Sequence, residues 1–162
     1  MYNHYEYCEA IARKLKSIQH TDTDRHFFRA IEQSELEELE QNISSAHGMI
    51  MIAIDGSFSS FQYQADSLME RPTYSVVIAK QTKSTDTDTI FQAIDDSKVA
   101  MKQVLSRIMC DARSYKYSCD MIDTSSFQLE GFGPIGDLFY GVILTFSMAE
   151  GVNFKINSEM WL

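Results

Sequence analysis

Apolar residues recur along the chain with two periods. Near the start, Cys8, Ile11, Ala12, Leu15 and Ile18 fall at helical spacing, with Glu6 and Glu9 early and Arg13, Lys14 and Lys16 late, as the helix dipole favours. This predicts a helix over 5–18, followed by a loop from His20 to Asp24. Phe27-Phe28-Arg29-Ala30-Ile31 is compatible with a short strand or a helix start, and an extended segment is preferred. Ser34 and Glu37 have capping-box spacing ahead of Leu36, Leu39 and Ile43, predicting a helix from Glu35 to Ile43 with a solvated acidic face.

Met49 to Asp55 is apolar on both faces, the mark of a strand covered on both sides. Asp55-Gly56 signals a turn, and Phe61 to Ala65 alternates as a half-buried partner strand. Arg71-Pro72 marks a break before a third strand, Thr73 to Gln81. Ile90, Ile94, Met101, Val104, Leu105, Ile108 and Ala112 then form one face of a helix over 88–113. Phe127 and Leu129 alternate with polar residues. After a Gly/Pro loop, Leu138, Tyr140, Val142, Leu144, Phe146 and Met148 make a period-two apolar face. The tail from Gly151 to Leu162 has room for a short edge strand. The expected class is α+β: a mainly antiparallel sheet (β-β-β-α-β-β) covered by one long helix, with additional N-terminal helices, in a single domain spanning 1–162.

Composition narrows function mainly by exclusion. The net charge of -9, with 14 scattered basic residues among 162, argues against nucleic-acid binding. No apolar run is long enough for a membrane helix, and the first twenty residues have no apolar leader core, so a cytoplasmic protein or a component of a soluble particle is expected. Cys8, Cys110 and Cys119 are too few for a disulfide scaffold; Cys110 reads as a small core residue.

Each motif has a plain structural explanation. Gly131-Phe132-Gly133-Pro134-Ile135-Gly136 matches G-x-G-x-x-G, yet a strand follows it and Pro134 lacks an N–H donor, so it reads as a hairpin loop. Thr-Asp-Thr-Asp at 21–24 and at 85–88 reads as turn and cap residues. His4 and Cys8 stand at i, i+4 like paired metal ligands, but no further ligand pair accompanies them. Asp95-Asp96 reads as solvated, and Tyr2, Tyr5, Tyr7, Tyr115 and Tyr117 as loop packing or contact surface. No catalytic residue, cofactor or metal is expected.

The order of elements from Met49 to Met148 resembles that of small tail-terminator, tail-completion and head–tail joining proteins of tailed bacteriophages and prophages. Phe27-Phe28-Arg29 and the Gly133-Pro134-Ile135-Gly136-Asp137…Tyr140-Gly141 segment are similar to small prophage-type proteins. The resemblance implies an antiparallel sheet flanked by helices, a subunit of a ring, and a role without enzymatic activity. The function expected is therefore assembly through protein contacts, by self-association or with other subunits. Phe132, Pro134, Ile135, Phe139 and Ile143 are the expected interface, because a single helical layer leaves Phe139 and Ile143 uncovered. The alternative is a small enzyme or ligand-binding domain whose site combines His20, Asp22, Asp24 and His26.

Overall fold

The computed structural model describes residues 2–31, 36–83, 86–116, 121–136, 138–152 and 155–162. In chain order the elements are α1 (His4–Lys14), β1 (Phe27–Ala30), α2 (Leu36–Ile43), β2 (Met49–Gln64), β3 (Ser67–Gln81), α3 (Thr87–Arg113), β4 (Gln128–Ile135), β5 (Phe139–Ser147) and β6 (Glu150–Gly151), with a final 3-10 turn at Ser158–Met160. The fold is the expected α+β class. The strands form one six-stranded sheet in the order β1-β2-β3-β5-β4, and β6 pairs with β3.

α1 begins where the Asn3 side chain accepts a hydrogen bond from the Glu6 N–H at 3.2 Å, a side-chain cap that satisfies one of the free N–H groups of the first turn. It stops at Lys14 rather than Ile18, because Leu15 is already extended (ψ 115°). The Ser34 cap and the start of the second helix at Glu35 lie outside the described residues.

All pairings but one are antiparallel. β1 runs parallel to β2, with Phe27 opposite Met51 and Ala30 opposite Ile54. A parallel pair needs a crossover, and α2 lies in that connection.

The central part of the sheet is buried on both faces. Met51, Ala53, Val76, Ile78, Val142, Leu144 and Phe146 pack under α1 and α3, against Cys8, Ala12, Met101, Val104 and Ile108. Ile50, Ile52, Ile54, Val77, Ala79, Phe139 and Ile143 point the other way, towards Ile43, Ala46 and the partly buried Leu39. Period two sends neighbours on one strand to opposite layers, so the doubly apolar Met49–Ile54 run is what two covered faces require. Each fully buried Ile or Met contributes about 1.5–3 kcal/mol.

Of the face expected on α3, Met101 and Ile108 are buried, while Ile94 and Leu105 are partly buried against the same cluster. Cys110 is exposed, a correction to its expected core position. Cys119, and with it any pairing to Cys110, lies outside the described residues. Asp95 is exposed, but Asp96 ties α3 to the sheet by accepting from Lys80 Nζ at 2.5 Å and from Gln92 at 2.8 Å.

The largest departure concerns β2 and β3. Neither the turn expected at Asp55-Gly56 nor the break at Arg71-Pro72 interrupts them. They form one hairpin from Met49↔Lys80 to Gln64↔Ser67, irregular only between Asp55 and Ser59. The reversal falls at Ala65 and Asp66, whose φ values of 46° and 66° are what a two-residue type I′ turn needs. The outer half of this hairpin is an arm that extends past the helices.

Candidate functional site

Four places bear on function. The first surrounds His4, the candidate soft ligand on α1. Its Nε2–H donates to the Ser75 carbonyl at 2.9 Å, and its Nδ1 accepts from the Tyr2 hydroxyl at 3.0 Å. The ring stacks on Tyr74 at 4.9 Å, and Cys8 Sγ lies 3.7 Å from Nδ1. Both ring nitrogens are engaged, so neither offers a lone pair to a metal. Burial lowers the His4 pKa to about 4, and the imidazole is neutral at pH 7. Tyr2 and Tyr7 belong to the same core. Tyr7 donates to the buried Asp111 carboxylate at 3.0 Å, and Arg107 does so at 2.8 Å. Tyr5 donates to the Ala30 carbonyl at 2.8 Å. These N-terminal tyrosines therefore fasten α1 to the sheet and to α3. Tyr115 is exposed, and Tyr117 lies outside the described residues.

The second place joins α1 to the loop before β1. Glu9, His20 and Asp22 each bring one possible ligand atom within 4.8 Å of the others. Arg13 already binds both carboxylates, at 2.7 Å to Glu9 and 2.6 Å to Asp22, and Arg29 reaches Glu9 at 3.3 Å. The hydrogen bond from Arg13 is the main reason both carboxyls titrate below their usual range. Burial lowers the His20 pKa, helped by the Arg13 charge. His20 Nδ1 accepts the His26 N–H at 3.1 Å, which leaves the proton on Nε2, facing Glu9. A cation would have to displace guanidinium groups and that proton, so the chemistry is that of an ion-pair knot. Exposed pairs of this kind are screened by solvent and contribute little to stability.

His26 touches the knot only through its backbone N–H to His20, and its ring has other neighbours. Its Nε2 lies 3.2 Å from Asp24, its ring meets His47 edge-on at 5.7 Å, and its Nδ1 has no hydrogen-bond partner among the described residues. Of the four residues of the alternative site, His20 and His26 are linked through a backbone N–H, Asp22 is held by Arg13, and Asp24 lies beside His26. Thr21 and Asp24 close a local turn (Asp24 N–H to Thr21 Oγ1, 2.9 Å), and Asp86 stands at the cap position of α3. The turn role accounts for the first Thr-Asp repeat; in the second, Asp86 holds the N-cap position without a side-chain cap hydrogen bond, and Thr85 lies outside the described residues.

The third place is a cleft of about 390 Å³ between α1 and α3. Ala10, Ile11, Leu15 and Val104 give it apolar walls, and the polar residues Tyr7, Arg107 and Asp111 on its side are bonded to one another.

The fourth is the arm. Phe58, Phe61 and Tyr63 are 67%, 60% and 75% exposed. Phe61 pairs with Glu70 and Tyr63 with Leu68, so these four side chains share one face. The signal for the arm was present in the alternating Phe61–Ala65 segment, read as half-buried; its covering layer is missing.

The residues of the expected interface are placed differently from the arm. Ile135, Phe139 and Ile143 are buried within the chain, Phe132 is half-buried, and Pro134 is exposed. The argument for an external partner assumed helices on one sheet face only. α2, which brings Leu39 and Ile43 to the second face, removes that need. Asp137 lies outside the described residues. The glycine-rich segment, expected as a hairpin loop, is strand from Gly131 to Ile135 in β4, paired with β5, and only Gly136 falls in the turn.

Among the described residues, no helix is long and apolar enough to cross a membrane. No protein-family profile matches the chain, and no curated protein sequence is significantly similar to it.

Proposed function

We propose that this protein is a non-enzymatic assembly subunit that works through protein–protein contact, with the β2–β3 arm as its contact element. One observation carries the reading: three large aromatic side chains stand exposed on the outer half of a strand pair whose inner half is buried on both faces. Aromatic residues are enriched where proteins meet, and several together on one element mean more than scattered ones. A tail or head–tail joining role is the specific form that the resemblance implies, and the helix-flanked sheet is compatible with it. The alternative, a site built from His20, Asp22, Asp24 and His26, has less support, because Arg13 already holds Asp22 and the His20 Nδ1 already accepts a backbone N–H.

A photo-crosslinking residue at Phe61, compared with one at the exposed Lys102 on α3, tests this in the cells the protein is native to. Adducts of defined mass at position 61 and none at 102 are expected. No adduct at 61, or equal adducts at both, would remove the arm as a contact element.

A further inference from the structure

The two edges of the arm differ. On the β3 side, β6 pairs Gly151 with Met69 and Glu150 with Glu70, and the Val152 N–H reaches the Leu68 carbonyl at 3.2 Å. On the β2 side, β1 pairs with residues 51–54, and among the described residues the backbone from Ser59 to Gln64 has a sheet neighbour on one side alone. Exposed edges are ordinarily blunted by charge, by proline or by a bulge along their length. Here the irregularity lies at the root of the arm, between Asp55 and Ser59, and no charged residue or proline occurs between Asp55 and Asp66.

Charge identifies the occupant. Two copies carrying -9 each repel, and contact between them is least opposed where charge is absent. This edge is such a place, and it is self-complementary. A two-fold antiparallel register centred on Gln62 sets Phe61 against the partner's Tyr63, and by symmetry Tyr63 against the partner's Phe61, on one face. Ser60 then meets the partner's Gln64 on the other face. The same register places Asp66 opposite the partner's Phe58, which keeps the flanking aspartates apart. Cross-strand aromatic pairs are among the favourable ones, and like charges directly opposite are unfavourable.

Building on the contact role of the arm, we infer that its partner is a second copy of this chain, joined edge to edge through β2 in a two-fold dimer. Light scattering coupled to size exclusion should find twice the 18.6 kDa chain mass, and Phe61→Lys should return it to 18.6 kDa, with the melting temperature of the monomeric wild type at low concentration. In a Cys110→Ser background, Gln62→Cys should form a disulfide-linked dimer on mild oxidation, whereas Gln64→Cys should not. A chain that stays monomeric at every concentration overturns the inference. So does a dimer that survives Phe61→Lys, or linkage through position 64 as ready as through 62. A monomeric purified protein whose position 61 crosslinks to a different protein in cells would keep the contact role and sink only the second copy.

Discussion

β2 and β3 pass through two environments along their own length. In the inner half, Ile50, Met51, Ile52, Ala53, Val76, Val77 and Ile78 are 0% exposed, and helices or the α2 segment lie on both sides. In the outer half the same two strands keep their cross-strand ladder from Ser59↔Pro72 to Gln64↔Ser67, yet Phe61 and Tyr63 face solvent. Backbone pairing resumes beyond the irregular stretch while burial stops. Strand formation and core formation are therefore separable here: aliphatic residues on both faces mark the covered half, and Ser, Gln and aromatic residues mark the bare half.

The sharpest way to break the covered half is at Gly141. A methyl group there would meet the Ile78 carbonyl oxygen and lie 2.6 Å from Ala79 Cα, both backbone atoms of the adjacent strand. Gly141→Ala is expected to cost about 4 kcal/mol or more, at the extreme of single substitutions. Urea unfolding measures it, and a change below about 1 kcal/mol would mean the strands can separate at that point.

Next comes a matched pair on one strand. Ile52→Ala in the covered half should cost about 2–5 kcal/mol through lost burial and the cavity left behind. Phe61→Ala in the bare half, measured at concentrations that keep the chain monomeric, should stay within about 0.5 kcal/mol. Equal losses would erase the distinction between the halves.

A third test uses pH at the junction, where His4 bonds to Ser75 and stacks on Tyr74. The folded pKa of about 4 lies below the ordinary histidine value of 6.5, so the unfolded chain takes up the proton first. The contribution of neutral His4 is complete above about pH 6.5 and is lost as pH falls towards 4, a decline of about 3 kcal/mol at 1.36 kcal/mol per pH unit. Melting temperatures from pH 8 to 4 should show it, and His4→Gln should flatten that part of the profile. An unchanged slope in the variant would assign the acid sensitivity to other groups.

The smallest effect is at the arm tip. Ala65 and Asp66 occupy left-handed φ, costly for residues with a Cβ. Replacing the pair with Asn-Gly should stabilise the hairpin by about 1 kcal/mol. Amide exchange over residues 60–64 should slow by several-fold while the inner half is unchanged; unchanged exchange throughout would show that the tip does not limit opening of the arm.

These regions also differed in how far they could be read from sequence. The covered half was legible because periodicity reports burial directly: the apolar run from Met49, the α3 face and the β5 alternation all appear in the fold. The arm was not. Asp55-Gly56 carries the usual turn chemistry but lies within a strand, and the real turn, Ala65-Asp66, has neither Gly nor Asn. Pro72 looked like a breaker, yet it pairs with Ser59 beside the irregular stretch, where a missing N–H is tolerated. The covering of Phe139 and Ile143 was hidden for another reason. It depends on α2 folding across the second face, a long-range placement that no local spacing encodes. The ion-pair knot likewise joins Glu9 to Asp22 and Arg29, whose proximity follows only from the path of the loop.

The continuity of the hairpin has a mechanical consequence. β3 lies in the middle of the sheet, bonded to β2 on one side and β5 on the other, and the arm is the prolongation of β2 and β3. A pull on the tip at Ala65 and Asp66 along the arm is carried as tension down both strands. Inside the body it meets the β3–β5 ladder from Thr73↔Ser147 to Gln81↔Phe139 in shear, many bonds sharing the load at once. The same pull applied sideways would open the arm one pair at a time from its tip. The protein is thus built as a stiff lever along the arm and a yielding one across it.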